Sequence, residues 1–384
     1  MLIVKLKSGK EQPVLKGNPW IFSGAIDTVQ GSPEREHLCR VLNAKGQFIC
    51  QGMYNPFSQI AVRVLTTGKE PIDEGFLLGR ITSAVEMRTA CIQADTTCYR
   101  LINAEGDELP GLIVDRYGEV LVLQISCPGM ETFKSEITSS LRTIFPGCSI
   151  HERSDTKGRT TEGLRVQTGP LLGVLPKGDL TVLERGIPFV VDILTGDRTG
   201  FYLEHRHNRE RLESLAENKD VLDLFSYTGS FSVCALKGGA KSVVSVDVSS
   251  PAQALLKKNC ELNQISQFVW RHLRDDALRF LNNDRSTYDI VVCDPPVLGR
   301  EAEEYTKILS LAMVRLRPGG ILFSLARATS QFSHVDLLKS IWAAARNSSR
   351  RSRILEPLFQ APDFPILPAH PQGVQLLGYM VHIQ

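Results

Sequence analysis

The stretch that most restricts what this chain can fold into runs from Val221 to Asp247. It begins with a short apolar run, Val221-Leu-Asp-Leu-Phe, and turns through Ser226-Tyr227-Thr228-Gly229. A helical segment follows, and then a second apolar run, Val243-Val-Ser-Val, stops at Asp247. Strand, tight turn, helix and strand in that order predict the opening of a parallel βαβ sheet. In such a sheet the turn sets backbone N–H groups and a helix N-terminus at the carboxyl edge of the first strand, where ligands bind. An acid at the end of the next strand, about 20 residues on, is placed to take ribose hydroxyls. An adenosine-containing cofactor is the expectation.

The turn also narrows which cofactor. It holds one glycine, Gly229, and lacks both the G-x-G-x-x-G spacing that lets a backbone hug a pyrophosphate and the G-x-x-x-x-G-K-[ST] loop for a nucleotide triphosphate. A cofactor without phosphates fits, and S-adenosyl-L-methionine is the candidate. An ordinary βα turn with a fold-determined glycine is the alternative reading of the turn taken alone. Downstream come a helix over 251–262, the run Phe268-Val-Trp with Arg274-Asp275-Asp276 at a third strand end, and Tyr288-Asp-Ile-Val-Val-Cys-Asp294-Pro295-Pro296. The two prolines stop a buried fourth strand and stiffen a loop at the substrate edge. In sequence order this resembles a class I S-adenosylmethionine methyltransferase.

At 384 residues the chain is long enough for two or three domains. Its hydrophobic content of 42% and charged content of 22% are those of a globular protein, and its net charge of +2 is not that of a stand-alone nucleic-acid binder. The N-terminus lacks a secretory apolar region, and no run nears the 18 or so apolar residues of a membrane span, so the expectation is a cytoplasmic protein with no membrane association. Nine cysteines without a C-x-x-C pair or zinc-ligand spacing read as reduced, mostly buried thiols, with no metal site.

Residues 1–72 read as short strands with Gly/Pro turns, which suggests a small barrel, and Trp20 and Phe22 read as core residues, with base stacking as the alternative. A helix over 75–94, a β-meander around Pro110-Gly111 and Tyr117-Gly118, a helix over 132–144 and a polar loop over 153–163 make a middle α+β module. After Asp294-Pro-Pro, a helix over 301–316 ends at Arg317-Pro-Gly-Gly, with Ile321-Leu-Phe-Ser as the fifth strand. A helix over 332–345 follows, then the basic run 346–353, read as a solvated loop with phosphate contact as the alternative, and last strands at 355–359 and 374–383.

Taken together, Pro19-Trp-Ile-Phe-Ser-Gly-Ala-Ile, Leu109-Pro-Gly-Leu-Ile-Val-Asp-Arg-Tyr-Gly, Thr199-Gly-Phe-Tyr-Leu-Glu-His-Arg, Phe225-Ser-Tyr-Thr-Gly-Ser-Phe, Val246-Asp-Val-Ser, Asp275-Asp276 and Asp294-Pro-Pro resemble the bacterial large-subunit ribosomal RNA cytosine-C5 methyltransferases. The resemblance spans nearly the whole length. It implies an α/β chain with a PUA-like RNA-binding β-barrel at 1–72, a middle α+β domain at 73–185 and a Rossmann-like methyltransferase domain at 186–384. It further implies RNA, ribosomal in origin, as partner, and a homodimer. By the same resemblance Thr199, Gly200, Phe201 and Arg206 lie beside the methionine half of the cofactor, and Ser226, Tyr227 and Gly229 beneath it. Asp247 takes the ribose, Asp276 the adenine amino group, and Asp294 sits near the transferred methyl. Helix N-capping is the alternative role for Asp247 and Asp276.

Three substrate-side positions depart from the family pattern. Leu325 stands where the family has its nucleophilic cysteine, Val297 where it has a lysine, and Tyr305-Thr-Lys-Ile-Leu309 replaces Tyr-Lys-Asp-x-Asn. Carbon 5 of cytosine needs a thiolate added at carbon 6 before it reacts. Cys293 reads as a core residue, since strand alternation turns it away from Asp294. Three readings stay open: methylation of an exocyclic amine with Asp294, Pro295 and Pro296 as the catalytic residues, carbon-5 methylation through another thiol, and cofactor and RNA binding without transfer.

Overall fold

The computed structural model describes residues 1–33, 36–296, 301–329 and 331–384. The chain forms two compact units, one of Met1–Leu180, Asp192–Phe201 and Pro362–Gly373, the other of Thr181–Val191, Tyr202–Ala361 and Val374–Gln384.

In the first unit, six strands form a sheet in the order Trp20–Ile21, Val62–Thr66, Phe48–Tyr54, Leu38–Leu42, Leu2–Leu6, Ile26–Gln30. Alternate residues Leu2, Val4 and Leu6 are fully buried on a core with Val41, Cys50 and Val62, the period-2 burial of a strand with one face to solvent. A five-stranded sheet, Cys98–Asn103 to Gln167–Leu172, carries the helices Glu74–Cys91 and Lys134–Ile144. Its core is continuous with Met53 and Leu65 of the first sheet. Phe22 is not a core residue, since it stands 51% exposed just after a two-residue edge strand. Trp20 is half-buried, its Nε1 donating to Glu105 Oε1 at 2.9 Å and its ring edge-on to His370. The expected loop at 153–163 instead holds a short helix, Lys157–Thr161. Its cause is Arg159, buried at its centre and donating to the Ile125 carbonyl, the Arg165 carbonyl and Glu131.

The second unit is built on a seven-stranded sheet in the order Trp270–Arg274, Ser242–Asp247, Asp220–Leu224, Tyr288–Cys293, Leu316–Arg327, Leu376–Ile383, Ser352–Pro357. The first five strands are mutually parallel, and Leu376–Ile383 runs antiparallel to both its neighbours. Asp220–Leu224 is central, and the chain winds outward from it in both directions. That reversal opens a crevice at its carboxyl end, the place where open α/β sheets hold ligands. Both faces of the central strands are covered, which is why they read as mainly apolar runs.

The fifth strand differs from the expected one. It begins at Leu316, so Arg317-Pro-Gly-Gly lies within it. Register jumps from Tyr288↔Leu316 to Ile290↔Ile321, so the intervening residues bulge out. Arg317 ties that bulge to Asp220 at 2.8 Å and Asp289 at 2.6 Å. The last strands begin and end at Ser352–Pro357 and Leu376–Ile383, and the preceding helix spans His334–Asn347.

Candidate active site

The turn after the central strand places positive φ on alternate residues, +59° at Phe225, +47° at Tyr227 and +75° at Gly229. Left-handed φ is costly for residues with a Cβ, so this turn is held by its surroundings. Ser226 N donates to the Val246 carbonyl, Tyr227 N to Asp247 Oδ2 at 2.9 Å, and Gly229 N to the Ser226 carbonyl. The buried Asn259 closes the other side, donating to the Thr228 carbonyl and accepting from Val190 N. A Cβ on Gly229 would meet Leu256 Cγ at 2.5 Å and Cδ1 at 2.7 Å. The fold alone therefore requires glycine here, whatever the turn binds.

Asp247 links the first two strand ends. Its Oδ2 takes the Tyr227 N–H and its Oδ1 the Ser249 N–H at 2.8 Å. It does not cap the next helix by its side chain, which is Ser249's part. Asp276 does cap a helix, accepting from Arg279 N at 2.9 Å at the start of Ala277–Asn283, with its side chain exposed at the third strand end. Asp294 follows the fourth strand, followed by buried Pro295 and exposed Pro296. Ser226, Tyr227, Gly229, Asp247, Asp276 and Asp294 thus all lie at carboxyl ends of parallel strands of one sheet. Arg206 opens the helix Arg206–Glu213 and is buried.

Thr199, Gly200 and Phe201 belong to the first unit. There Thr199 Oγ1 donates to Asp115 at 2.6 Å and pairs with the Tyr117 hydroxyl at 2.7 Å. Gly200 has φ +131°, and a Cβ on it would meet the Asp192 carbonyl oxygen at 2.8 Å. Phe201 is fully buried.

Sequence reading missed Asp223 and His205. Asp223 sits inside the apolar run of the central strand, 1% exposed, with Oδ2 accepting from Ser232 Oγ at 2.6 Å. Ser232 pairs in turn with Ser245, which accepts from Trp270 Nε1. Burial pushes the Asp223 carboxyl up to about 7 against the pull of Ser232, and the charges of Asp247 and Asp294 push the same way. An acid in an apolar strand just ahead of a Ser/Gly turn was the available signal. His205 lies 2.9 Å by its Nε2 from Asp294 Oδ2. Rings from Tyr202 and Phe231 flank it, and Tyr202 carries the Arg327 guanidinium at 5.2 Å and the Tyr227 ring at 5.2 Å.

The substrate-side departures have physical consequences. Leu325 is fully buried within the fifth strand, packed with Leu358, Leu376 and Met380 and against the face of Gly378. Its carbonyl accepts from the buried Tyr305 hydroxyl at 2.7 Å. Cys293, Cys234 and Cys260, the thiols of this unit, are all buried. Burial pushes each thiol far up, Cys260 to about 12, so none offers a thiolate near neutral pH. Val297 lies outside the described residues.

The donor set suits a nucleoside sulfonium. Among the described residues, Ser226 Oγ, Thr228 Oγ1 and Asp223 Oδ1 are buried at the turn without a hydrogen-bond partner, a cost that a polar ligand would relieve. Carboxylates at the strand ends accept from ribose hydroxyls and favour positive charge.

Residues 170–376, more than half of the chain, match the family described as S-adenosylmethionine-dependent methyltransferase, and residues 4–67 match a PUA-like domain. The ribosomal RNA large subunit methyltransferase I of Aeromonas salmonicida is 39% identical, with 99% of each chain covered. The protein of that name from Salmonella arizonae is 36% identical, covering 98% of this chain and 96% of its own. Among solved structures, a Streptococcus mutans protein described as a SAM-dependent methyltransferase superposes with TM-score 0.87 at 21% identity, covering all of both chains. A methyltransferase-like protein complexed with SAH gives 0.86 at 20% identity, again over all of both chains. At such identities these two likenesses speak for the fold. Among the described residues no helix is long and apolar enough to cross a membrane. With matches of this extent, the chain belongs to the S-adenosylmethionine-dependent methyltransferase family, among the relatives named ribosomal RNA large subunit methyltransferase I.

Proposed function

We infer that this methyltransferase acts on large-subunit ribosomal RNA, as its relatives' names say of them, and that the methyl goes to an exocyclic base nitrogen and not to carbon 5 of cytosine. The observation that carries the second part is Leu325 buried in the core, with every thiol of the second unit buried and held neutral. Carbon-5 chemistry needs a thiolate added at carbon 6, and an exocyclic amine needs none, because its lone pair attacks the methyl directly once a hydrogen-bond acceptor draws it out of conjugation with the ring.

In this reading Ser226, Tyr227 and Gly229 cradle the cofactor, Asp247 holds its ribose, and Asp276 lies by the adenine. S-adenosylmethionine, when bound, supplies a methyl whose C–S bond breaks toward sulfur as nitrogen attacks. Asp294 accepts a hydrogen bond from the target amine and so orients the nitrogen lone pair. Pro295 and Pro296 fix the loop backbone, whose rigidity keeps the amine at the 3–3.5 Å or so that a direct attack requires. The amine sheds one proton to Asp294. The first unit's PUA-like match supports RNA recognition, and a homodimer is the assembly proposed from the resemblance, checked by sedimentation.

The test is transfer of labelled methyl from S-adenosylmethionine to unmodified large-subunit ribosomal RNA, followed by nucleoside analysis. An N-methylated nucleoside is the expected product. 5-Methylcytidine would overturn the assignment of the atom, and no labelled RNA would overturn the substrate.

A further inference from the structure

The contact between His205 and Asp294 joins two sequence runs about 90 residues apart at the substrate edge, and the amine-transfer reading leaves His205 without a part. Its imidazole is 1% exposed, with Nε2 at 2.9 Å from Asp294 Oδ2, while the Asp294 side chain is 16% exposed. The N–H direction is not yet aligned for a hydrogen bond, as is common before a substrate tightens a site. On the other side of the ring, Asn208 Nδ2 faces Nδ1 at 3.3 Å. An amide NH2 facing Nδ1 makes that nitrogen an acceptor, so the neutral ring carries its proton on Nε2, toward the carboxylate. Phe231 packs edge-on at 5.4 Å and limits ring rotation.

We propose that His205 is a positioning residue for methyl transfer: its Nε2, set against Asp294 Oδ2, fixes the carboxylate so that Oδ1 is left for the substrate amine. This rests on the reading of Asp294 as acceptor of the amine proton. The step balances simply: nitrogen forms the new bond to the methyl carbon, the C–S electron pair goes to sulfur, and the proton leaves nitrogen for Asp294 Oδ1. His205 neither gains nor loses a proton in that step. A group that donates to a carboxylate favours its charged form, so loss of His205 raises the pH at which Asp294 loses its proton.

Other charges face the pair and set the background against which it titrates. Asp223 feels Asp294 directly, as does the buried Tyr305 hydroxyl, and Cys293 lies next in sequence. Glu204 is neutralised by Arg327 at 2.6 Å, and Arg209 by Glu184 at 2.5 Å, on the elements that carry His205. Arg206 adjoins it in the chain. None of these is altered by changing His205 to leucine.

The experiment compares the pH dependence of single-turnover methyl transfer to ribosomal RNA in the wild type, His205→Leu, whose side chain has no donor, and Asp294→Asn, each saturated with S-adenosylmethionine. Expected for H205L is an acid limb moved up by about one pH unit, hence a loss of about tenfold below it that high pH restores to within about threefold. D294N is expected to lose at least about a hundredfold at every pH, in keeping with general-base removal. A limb at the wild-type pH in H205L, or a loss uniform in pH, overturns the proposal while leaving the amine reading intact. A wild type that methylates no RNA overturns that reading and this proposal with it. Should H205L fail to bind S-adenosylhomocysteine, the histidine resonance of the wild type and D294N is titrated by NMR instead. A His205 pKa lower in D294N supports the pairing, and an unchanged one refutes it.

Discussion

Replacing Asp223 by asparagine should change how the stability of the second unit depends on pH. The carboxyl is 1% exposed in the central strand, and burial lifts it to about 7 in the folded chain. In the unfolded chain it titrates near 3.9 or so. Between those values the folded chain binds a proton that the unfolded chain has released, so stability falls as pH rises, by about 1.4 kcal/mol per unit, and levels off above the folded value. Integrated from pH 5 to pH 8, the loss is about 2.5 kcal/mol. The asparagine side chain of D223N cannot ionise and still offers Ser232 an acceptor, so the variant should lack this slope. It pays instead for an amide NH2 that lacks a partner, about 1–3 kcal/mol at every pH. The wild type has then lost about 1.5 kcal/mol by pH 5 and about 4 kcal/mol by pH 8, so the variant should lie near parity or somewhat below it at pH 5 and ahead by about 1–3 kcal/mol at pH 8. Urea titrations at both pH values, with opening of Asp220–Leu224 followed by pulsed hydrogen exchange and mass spectrometry, measure the difference. Wild type and D223N shifting in parallel, to within about 0.5 kcal/mol, would refute the reasoning, whatever the absolute stabilities.

Three further outcomes follow from the same geometry. Gly229→Ala forces φ +75° on a residue with a Cβ and drives that Cβ into Leu256, so it should destabilise by about 2–4 kcal/mol, read from urea midpoints. Leu325→Cys should not yield 5-methylcytidine on nucleoside analysis, because the new thiol is buried against Gly378. It should cost about 2 kcal/mol for the cavity left by the lost side-chain atoms. Glu184→Gln removes the carboxylate that pairs with the buried guanidinium of Arg209 and should lower stability by about 3–5 kcal/mol in thermal or urea unfolding.

Much of the catalytic half was legible because its signals are local and periodic. Apolar runs that end at Asp247 and Asp294, and a turn punctuated by Gly229, already specify parallel strands and the edge they share. What the periodicity could not reveal was decided by contacts distant in sequence. Asp223 was hidden because a buried acid in an apolar run carries no pattern of its own, and its Ser232–Ser245 partners come from the next helix and strand. His205 was quoted within a motif, but its meaning depends on reaching Asp294, a contact that requires the fold. Arg317-Pro-Gly-Gly reads as a helix stop, and it is one; the same residues also bulge out of the fifth strand, where Arg317 finds Asp220 and Asp289. Phe22 reads as core by residue type and is exposed because so short an edge strand leaves little to cover it.

The central claim is that the turn at 225–229 and Asp247 hold S-adenosylmethionine at the carboxyl edge of the second unit's sheet. Calorimetric titration of S-adenosylhomocysteine into the wild type and Asp247→Asn tests it directly. The account predicts saturable one-site heat for the wild type. It also predicts at least about tenfold weaker binding for the variant, the loss of a charge-assisted hydrogen bond to a ribose hydroxyl. No heat with the wild type, or equal affinity in a folded D247N, would contradict it.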